Sequence, residues 1–415
     1  MNIIYFVYEF PPKIFGGLGT YAFEISKRFK DLGENLTVIT VNWENKFLEY
    51  EKIENLEIYR PKFIDISPSL YLYVSEELCN WGEWLSYFGN IISYNHLGAN
   101  FIFQMEEKGK KYDIVISHDW LGIIGGVILK KVLKIPLVFH IHSTEIGRQR
   151  GGGSNTIKKM EYEGTKIADR VFTVSYAMKE ELVKFGVLPE KIDVIYNGVD
   201  EKKYDIEKVK KENIRELRNK YNIKEDEIFL FFLGRLTEVK GVKNLILAMP
   251  EVIEKYPNVK LLILGRGELE NSLKDLIDKL KLNEKIILRC EFISEEERIL
   301  HYAASDICVF PSLYEPFGIV SLEAMSLKKP IVVGAEGTSG MREQVITEGE
   351  EMCGVHINPH LPSSIAWGIK LLIEKDRKKL GENGRERVLK MFTWEKIAKE
   401  TLKLYKKTVK EVAKL

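Results

Sequence analysis

The sequence predicts two doubly wound α/β sheets, and three observations carry that expectation. Short runs of Val, Ile and Leu recur without the polar alternation of a half-exposed strand, as parallel strands buried on both faces require. Each run is followed by a longer segment with helical spacing, the strand–helix repeat of a parallel sheet. The chain has 415 residues, enough for two domains at about 100–200 residues each.

Strands of the first sheet are expected at 3–7, 36–41, 114–117, 137–141, 171–174 and 192–195. Those of the second are expected at 228–233, 260–264, 286–288, 307–310 and 330–333. Between the two sets, residues 201–227 are dense in Lys and Glu and read as a solvated linker and helix. The last periodic segment sets Trp394, Ile397, Ala398, Leu402, Leu404 and Tyr405 against many lysines, the pattern of an amphipathic closing helix. The expected organisation is one domain over 1–200, a second over 201–392 and a closing helix over 393–415.

Residues 2–8 have no basic segment before them and no small-residue cleavage site after them, so they read as a first strand and not a signal peptide. The longest uncharged apolar run, 121–129, falls well short of the roughly 20 residues a membrane-spanning helix needs. The formal net charge is +1, and residues 1–200 carry −3, so no global attraction to nucleic acid or anionic lipid is expected. The basic residues are 47 Lys to 15 Arg and the acidic ones 48 Glu to 13 Asp, a Lys/Glu bias typical of hyperthermophiles. Cys79, Cys290, Cys308 and Cys353 form no CxxC pair. They read as reduced thiols in a reducing, cytoplasmic compartment. No heptad is legible, and the oligomeric state is left open.

Chemistry gathers at strand ends. The first strand runs into Glu9 and then Gly16-Gly17-Leu18-Gly19 before a helix. Such a turn either presents backbone N–H groups to a phosphate or sugar oxygen or serves only as a tight connection. It lacks both GxGxxG and the Gly-Lys-Ser/Thr of a P-loop. No Asp-x-Asp occurs, so a common carboxylate pair for a nucleotide-bound metal is missing. The strand at 114–117 ends at His118-Asp119-Trp120, and the strand at 137–141 leads to His142. Polar residues at the carboxyl ends of parallel strands lie where open α/β sheets bind ligands. His140 and His142 share one strand face, yet with no third ligand evident no metal site and no cofactor is expected.

In the second half, Arg235 and Lys240 are two cations on one strand-to-helix loop, suited to a pyrophosphate. The most informative stretch holds Glu315 and Glu323, eight apart, around Pro316-Phe317-Gly318, with Glu-Ala-Met at its end. Aromatic residues of 71–103, among them Trp81, Trp84, Tyr87 and Tyr94, either pack a core or stack on sugars.

Taken in order, Glu9 to Leu18, His118-Asp119-Trp120, His142, Thr173-Val174-Ser175, Asn197-Gly198-Val199-Asp200, Gly234-Arg235-Leu236 with Lys240-Gly241, Gly265-Arg266-Gly267 and Glu315 to Glu323 resemble the retaining GT-B glycosyltransferases, in particular the glycogen and starch synthases. The resemblance spans nearly the whole chain. It implies two Rossmann-like domains facing across a cleft, a nucleotide-sugar donor held mainly by the C-terminal domain, and a last helix that crosses back to the N-terminal one. It further implies that Arg235 and Lys240 bind the donor pyrophosphate, Glu315 the transferred sugar and Glu323 the ribose. The backbones of Gly17-Leu18 and Gly318-Ile319-Val320 would contact phosphate or sugar. His142 would stand at the anomeric carbon, and Glu9 and Asp119 on the acceptor side. The reaction implied is metal-independent, retaining glucosyl transfer from ADP- or UDP-glucose to an α-1,4-glucan through front-face attack on an oxocarbenium-like state. The alternatives are a related transferase for a lipid-linked saccharide, polysaccharide or small glycoside, and, more remotely, a silent sugar-binding protein.

Overall fold

The computed structural model describes residues 1–72 and 74–414; Tyr73, within the aromatic segment, and Leu415, the last residue of the expected closing helix, lie outside them. The chain divides into two compact units. The first comprises Met1–Val174, Lys179–Ile195 and the segment from Trp394 on, and the second Ser175–Met178 and Tyr196–Thr393.

The first unit holds the strands β1 (Asn2–Phe6), β2 (Asn35–Ile39), β3 (Tyr50–Ile53), β4 (Leu56–Tyr59), β5 (Ile114–His118), β6 (Leu137–Ile141), β7 (Arg170–Thr173) and β8 (Ile192–Val194). They form one sheet in the order β3-β4-β2-β1-β5-β6-β7-β8, parallel except where β3 runs against β4. The sheet order reverses between β1 and β5, so the loops leaving those two strands diverge and open a crevice at their carboxyl ends. Ile3–Phe6 and Ile114–Ile116 are fully buried, because helices cover both faces of the central strands.

The second unit holds β9 (Ile228–Leu233), β10 (Val259–Leu264), β11 (Ile286–Arg289), β12 (Ile307–Phe310), β13 (Ile331–Gly334) and β14 (Gly354–Ile357) in the all-parallel order β11-β10-β9-β12-β13-β14. Its reversal lies between β9 and β12. Leu230, Phe232, Leu261, Ile263 and Val309 form its core with Leu245 and Met249 of the helix Val242–Lys255 and Ile365 and Ile369 of the helix Pro362–Glu374.

Several details differ from the sequence reading. The hairpin of β3 and β4, and the edge strand β14, were not expected. The second unit starts at Tyr196 and not at 201, because the Tyr196 ring packs on Phe317 and Phe392. It also takes in Ser175, whose Oγ donates to the Pro316 carbonyl at 2.6 Å. The supposed linker folds as part of that unit, with Leu217 of the helix Lys211–Lys220 and the following Tyr221 buried. The helix Trp394–Val412 buries Trp394, Ile397, Ala398 and Tyr405 within the first unit. Tyr405 there meets Tyr5, Phe29 and Phe172.

Candidate active site

In the second unit the loops after β9 and β12, the two strands at the sheet reversal, carry the polar groups. The loop after β9 makes a single 3-10 turn, Glu238–Lys240, and ends at Gly241 with φ +68°. A Cβ there would lie 2.0 Å from the Pro311 carbonyl oxygen, so only glycine lets the two loops approach this closely. They are sewn together by the Val239 carbonyl, which accepts the N–H groups of Leu313 at 2.8 Å and Tyr314 at 3.3 Å. The outcome is an ion pair between Lys240 Nζ and Glu315 Oε2.

The Glu315 backbone is held on both sides: its N–H donates to Thr338 at 3.0 Å and its carbonyl accepts from Gly340 at 2.9 Å. Arg235 is exposed and has no hydrogen bond or ion pair among the described residues, so its guanidinium is available to an anion. Gly318, with φ +88°, caps the helix Ile319–Ser326. Ile319 and Val320 open that helix, where N–H groups lack intrahelical acceptors and carry the positive end of the helix dipole. Gln344 Nε2 donates to the Phe317 carbonyl at 2.8 Å and fixes the turn that leads into it.

Glu323, on the same helix, is 5% exposed. Its Oε1 accepts from Tyr204 Oη at 3.0 Å and lies 3.4 Å from Arg298, and its Oε2 accepts from Tyr302 Oη at 3.1 Å. Burial raises its carboxyl pKa above the usual range, against the pull of Arg298. Two of about four acceptor positions on the carboxylate are therefore taken by tyrosine hydroxyls, and Arg298 pairs with it electrostatically. The resemblance implies Glu323 at the ribose, and the sequence does not disclose this network, which joins residues up to 119 positions apart.

In the first unit the loops after β1 and β5 again flank the sheet reversal. Glu9 does more than the sequence suggested: its Oε2 accepts the N–H groups of Phe15 and Gly16, each at 3.0 Å, and so shapes the glycine turn. The next N–H groups, of Gly17 and Leu18, open the helix Gly17–Asp31 and have no protein acceptor among the described residues. Asp119 takes φ +53° directly after β5. Its Oδ1 accepts the His142 N–H at 2.7 Å, tying the ends of β5 and β6 together. Burial pushes the Asp119 carboxyl up to about 6.

His142 is buried beside two more imidazoles. His118 and His140 are register partners on β5 and β6, His140 stacks on His142 with ring centroids 4.2 Å apart, and His118 Nδ1 lies 3.0 Å from His142 Nε2. The sequence reading sets a metal aside for want of a third ligand; the neighbouring strand brings a third imidazole, His118, beside the pair. Among the aromatics of 71–103, Tyr94 is a core residue whose hydroxyl donates to the Leu121 carbonyl at 2.5 Å, whereas Trp84 is 66% exposed.

The chain is similar to known proteins along its whole length. Residues 213–387 match the family model for glycosyl transferases group 1, and residues 15–203 match that for glycosyltransferase family 4. An uncharacterized glycosyltransferase of Methanocaldococcus jannaschii is 34% identical over 98% of both chains. The glycogen synthase of Mycobacterium tuberculosis is 25% identical, over 98% of this chain and 94% of its own length. Among solved structures, the sucrose-phosphate synthase of Thermosynechococcus elongatus superposes with a TM-score of 0.76 at 21% identity, covering 98% of this chain and 99% of that one. With its two Rossmann-like units and these relatives, the chain belongs to the GT-B glycosyltransferases of group 1.

Proposed function

We propose that the protein is a retaining glucosyltransferase that extends the non-reducing end of an α-1,4-glucan from ADP- or UDP-glucose. The observation that carries this reading is the group at the reversal of the second sheet: the Lys240–Glu315 pair, the unpaired Arg235 and the helix start at Ile319 and Val320. Arg235 and Lys240 bind the donor diphosphate and offset the charge that builds on it as the glycosidic bond breaks. Fixed cations placed there do the work a divalent metal does elsewhere. The helix start at Ile319-Val320, and the N–H groups of Gly17 and Leu18, donate to phosphate or sugar oxygens.

Glu315 orients the transferred sugar and stabilises its oxocarbenium-like state, while Glu323 uses an acceptor position left by the two tyrosines on the ribose. His142 acts at the sugar. Asp119 positions His142 through its backbone, and the free Oε1 of Glu9 serves the acceptor. Attack from the face that the diphosphate leaves retains configuration without a covalent glycosyl-enzyme. The likeness to a glycogen synthase along nearly the whole chain supports glucan as acceptor.

The test is nucleoside diphosphate release from purified protein with ADP-glucose and UDP-glucose separately, with and without glycogen, and with and without added Mg²⁺. Release stimulated by glycogen, glucose incorporated into polymer with α configuration, and indifference to Mg²⁺ are expected. Turnover with a lipid-linked or small-molecule acceptor but not with glycogen would replace the glucan reading by the alternative one.

A further inference from the structure

We infer that His118, His140 and His142 form a binding site for one divalent transition-metal ion, zinc by the chemistry of its ligands. The three side chains come from the carboxyl ends of adjacent parallel strands, His118 and His140 in register and His142 two residues on, so all three lie on one face of the sheet. One ring nitrogen from each lies within 4.8 Å of the other two. Small side-chain rotations close that spacing to the roughly 3.3 Å between imidazole nitrogens bound about 2.0–2.1 Å from a tetrahedral ion.

The cluster is sealed. His118 and His140 are fully buried and His142 is 8% exposed, under the ring of Tyr21, which packs against all three. Of the six ring nitrogens, only His118 Nδ1 and His142 Nε2 have a partner, each other. His118 Nε2, both nitrogens of His140 and His142 Nδ1 have no hydrogen-bond partner among the described residues. Unpaired buried nitrogens are costly, and four in one cluster call for a ligand.

Three imidazoles with an open fourth position are a known zinc set, and neutral imidazole suits zinc better than magnesium or calcium. The Asp119 carboxyl adjoins the cluster, its Oδ1 accepting the His142 N–H at 2.7 Å. The ion would pin the ends of β5 and β6, from which Asp119 and His142 emerge. This assignment shares His142 with the proposed transferase reaction, but its test needs neither donor nor acceptor.

The test uses the full chain, stripped by a chelator and titrated with Co²⁺. The expected result is one equivalent bound, a visible d–d absorption of tetrahedral type that Zn²⁺ abolishes, and a melting temperature raised by about 5 °C at hundredfold excess over Kd. In His140→Val, which keeps a buried β-branched residue in its strand, the absorption and the shift should be lost while the far-UV spectrum stays native. If the folded wild type binds no Co²⁺ and its melting temperature does not move, the nitrogens are served by water and the inference falls. It falls equally if His140→Val binds Co²⁺ as tightly as wild type, since the ion would then sit elsewhere.

Discussion

Lys240 and Glu315 fix one another, so removing either side chain disturbs both. In Lys240→Ala the Glu315 Oε2 keeps, among the described residues, only the Ser312 hydroxyl, at 3.4 Å. Turnover is expected to fall by about 10²–10³-fold, as when a donor to developing negative charge is removed. Arg235→Ala should lose activity on a similar scale yet shift stability by less than about 0.5 kcal/mol, because the side chain is exposed and unpaired. Steady-state kinetics beside thermal melts separates the two cases, and unchanged kinetics in Arg235→Ala would end its pyrophosphate assignment. A pH effect belongs to Glu161, a buried residue whose carboxylate accepts the Glu145 N–H at 2.8 Å. Burial pushes its pKa from 4.5 up to about 7. Between those values the unfolded chain is ionised there and the folded one is not. Its contribution is therefore whole below 4.5 and lost as pH rises through about 7, by up to about 3 kcal/mol. Glu161→Gln keeps an acceptor for Glu145, so its stability, compared by denaturant titration at about pH 5 and about pH 8, should show a smaller loss than wild type. At this scale the placing of Arg235, Lys240 and Glu315 on the loops after β9 and β12 was readable, because those strands are continuous apolar runs. Glu9 as the organiser of its loop was not, since a carboxylate that reaches back from its own strand to N–H groups six and seven residues later leaves no pattern. Nor was His118 as partner of His140, because the pairing depends on which strands are neighbours.

Loops after strands place these groups, and glycines set how closely the loops can pack. Gly241 and Gly337 both have positive φ, +68° and +62°, but differ in surroundings. An added Cβ at Gly241 meets the Pro311 carbonyl at 2.0 Å, while at Gly337 nothing lies within 4 Å. Gly337→Ala should cost about 1 kcal/mol, the penalty of a left-handed backbone. Gly241→Ala should cost at least about 2 kcal/mol and also lower activity, because the loop carrying Lys240 must move away from Glu315. Equal losses in urea titrations of the two variants would mean that the tight approach has no energetic weight. The strands that were readable from sequence are those with continuous apolar runs, such as Phe229–Leu233 or Leu137–Ile141. The hairpin of β3 and β4 escaped for a physical reason. It lies at the sheet edge, its strands carry Glu51, Lys52 and Glu57, and its two-residue turn has Glu54 at φ +57° where Gly or Asn would have flagged it. The strand β14 begins at Gly354 and carries His356, so its four residues hold no continuous apolar run.

Over the whole molecule, the two ends of the chain meet in one unit. The apolar stripe of the helix Trp394–Val412 announced a buried face, but a stripe does not say which sheet it covers. The aromatic contacts do: Trp394 meets Tyr21, while Tyr405 packs against Phe29 and Phe172 and its hydroxyl lies 3.1 Å from that of Tyr5. Lys406 adds an ion pair to Glu34 at 3.0 Å. A chain ending at Thr393 would uncover Tyr5, Tyr21 and Phe29, all fully buried in the intact protein. Truncating one such aromatic, as in Tyr405→Ala, should by itself cost about 3–5 kcal/mol, a large part of a domain's usual margin of about 5–15 kcal/mol. Hydrogen exchange read strand by strand distinguishes a local effect from a general one. Tyr405→Ala is expected to speed exchange in β1, β5 and β7 while β9, β10 and β12 keep their protection. A uniform loss across both sheets would show that the units unfold together and that the last helix stabilises the whole chain. Protection unchanged in β1 would show that the helix is dispensable to the first sheet. In the expected outcome the N-terminal unit cannot complete its core until the helix Trp394–Val412 has been made, although all of its strands come from the first half of the sequence.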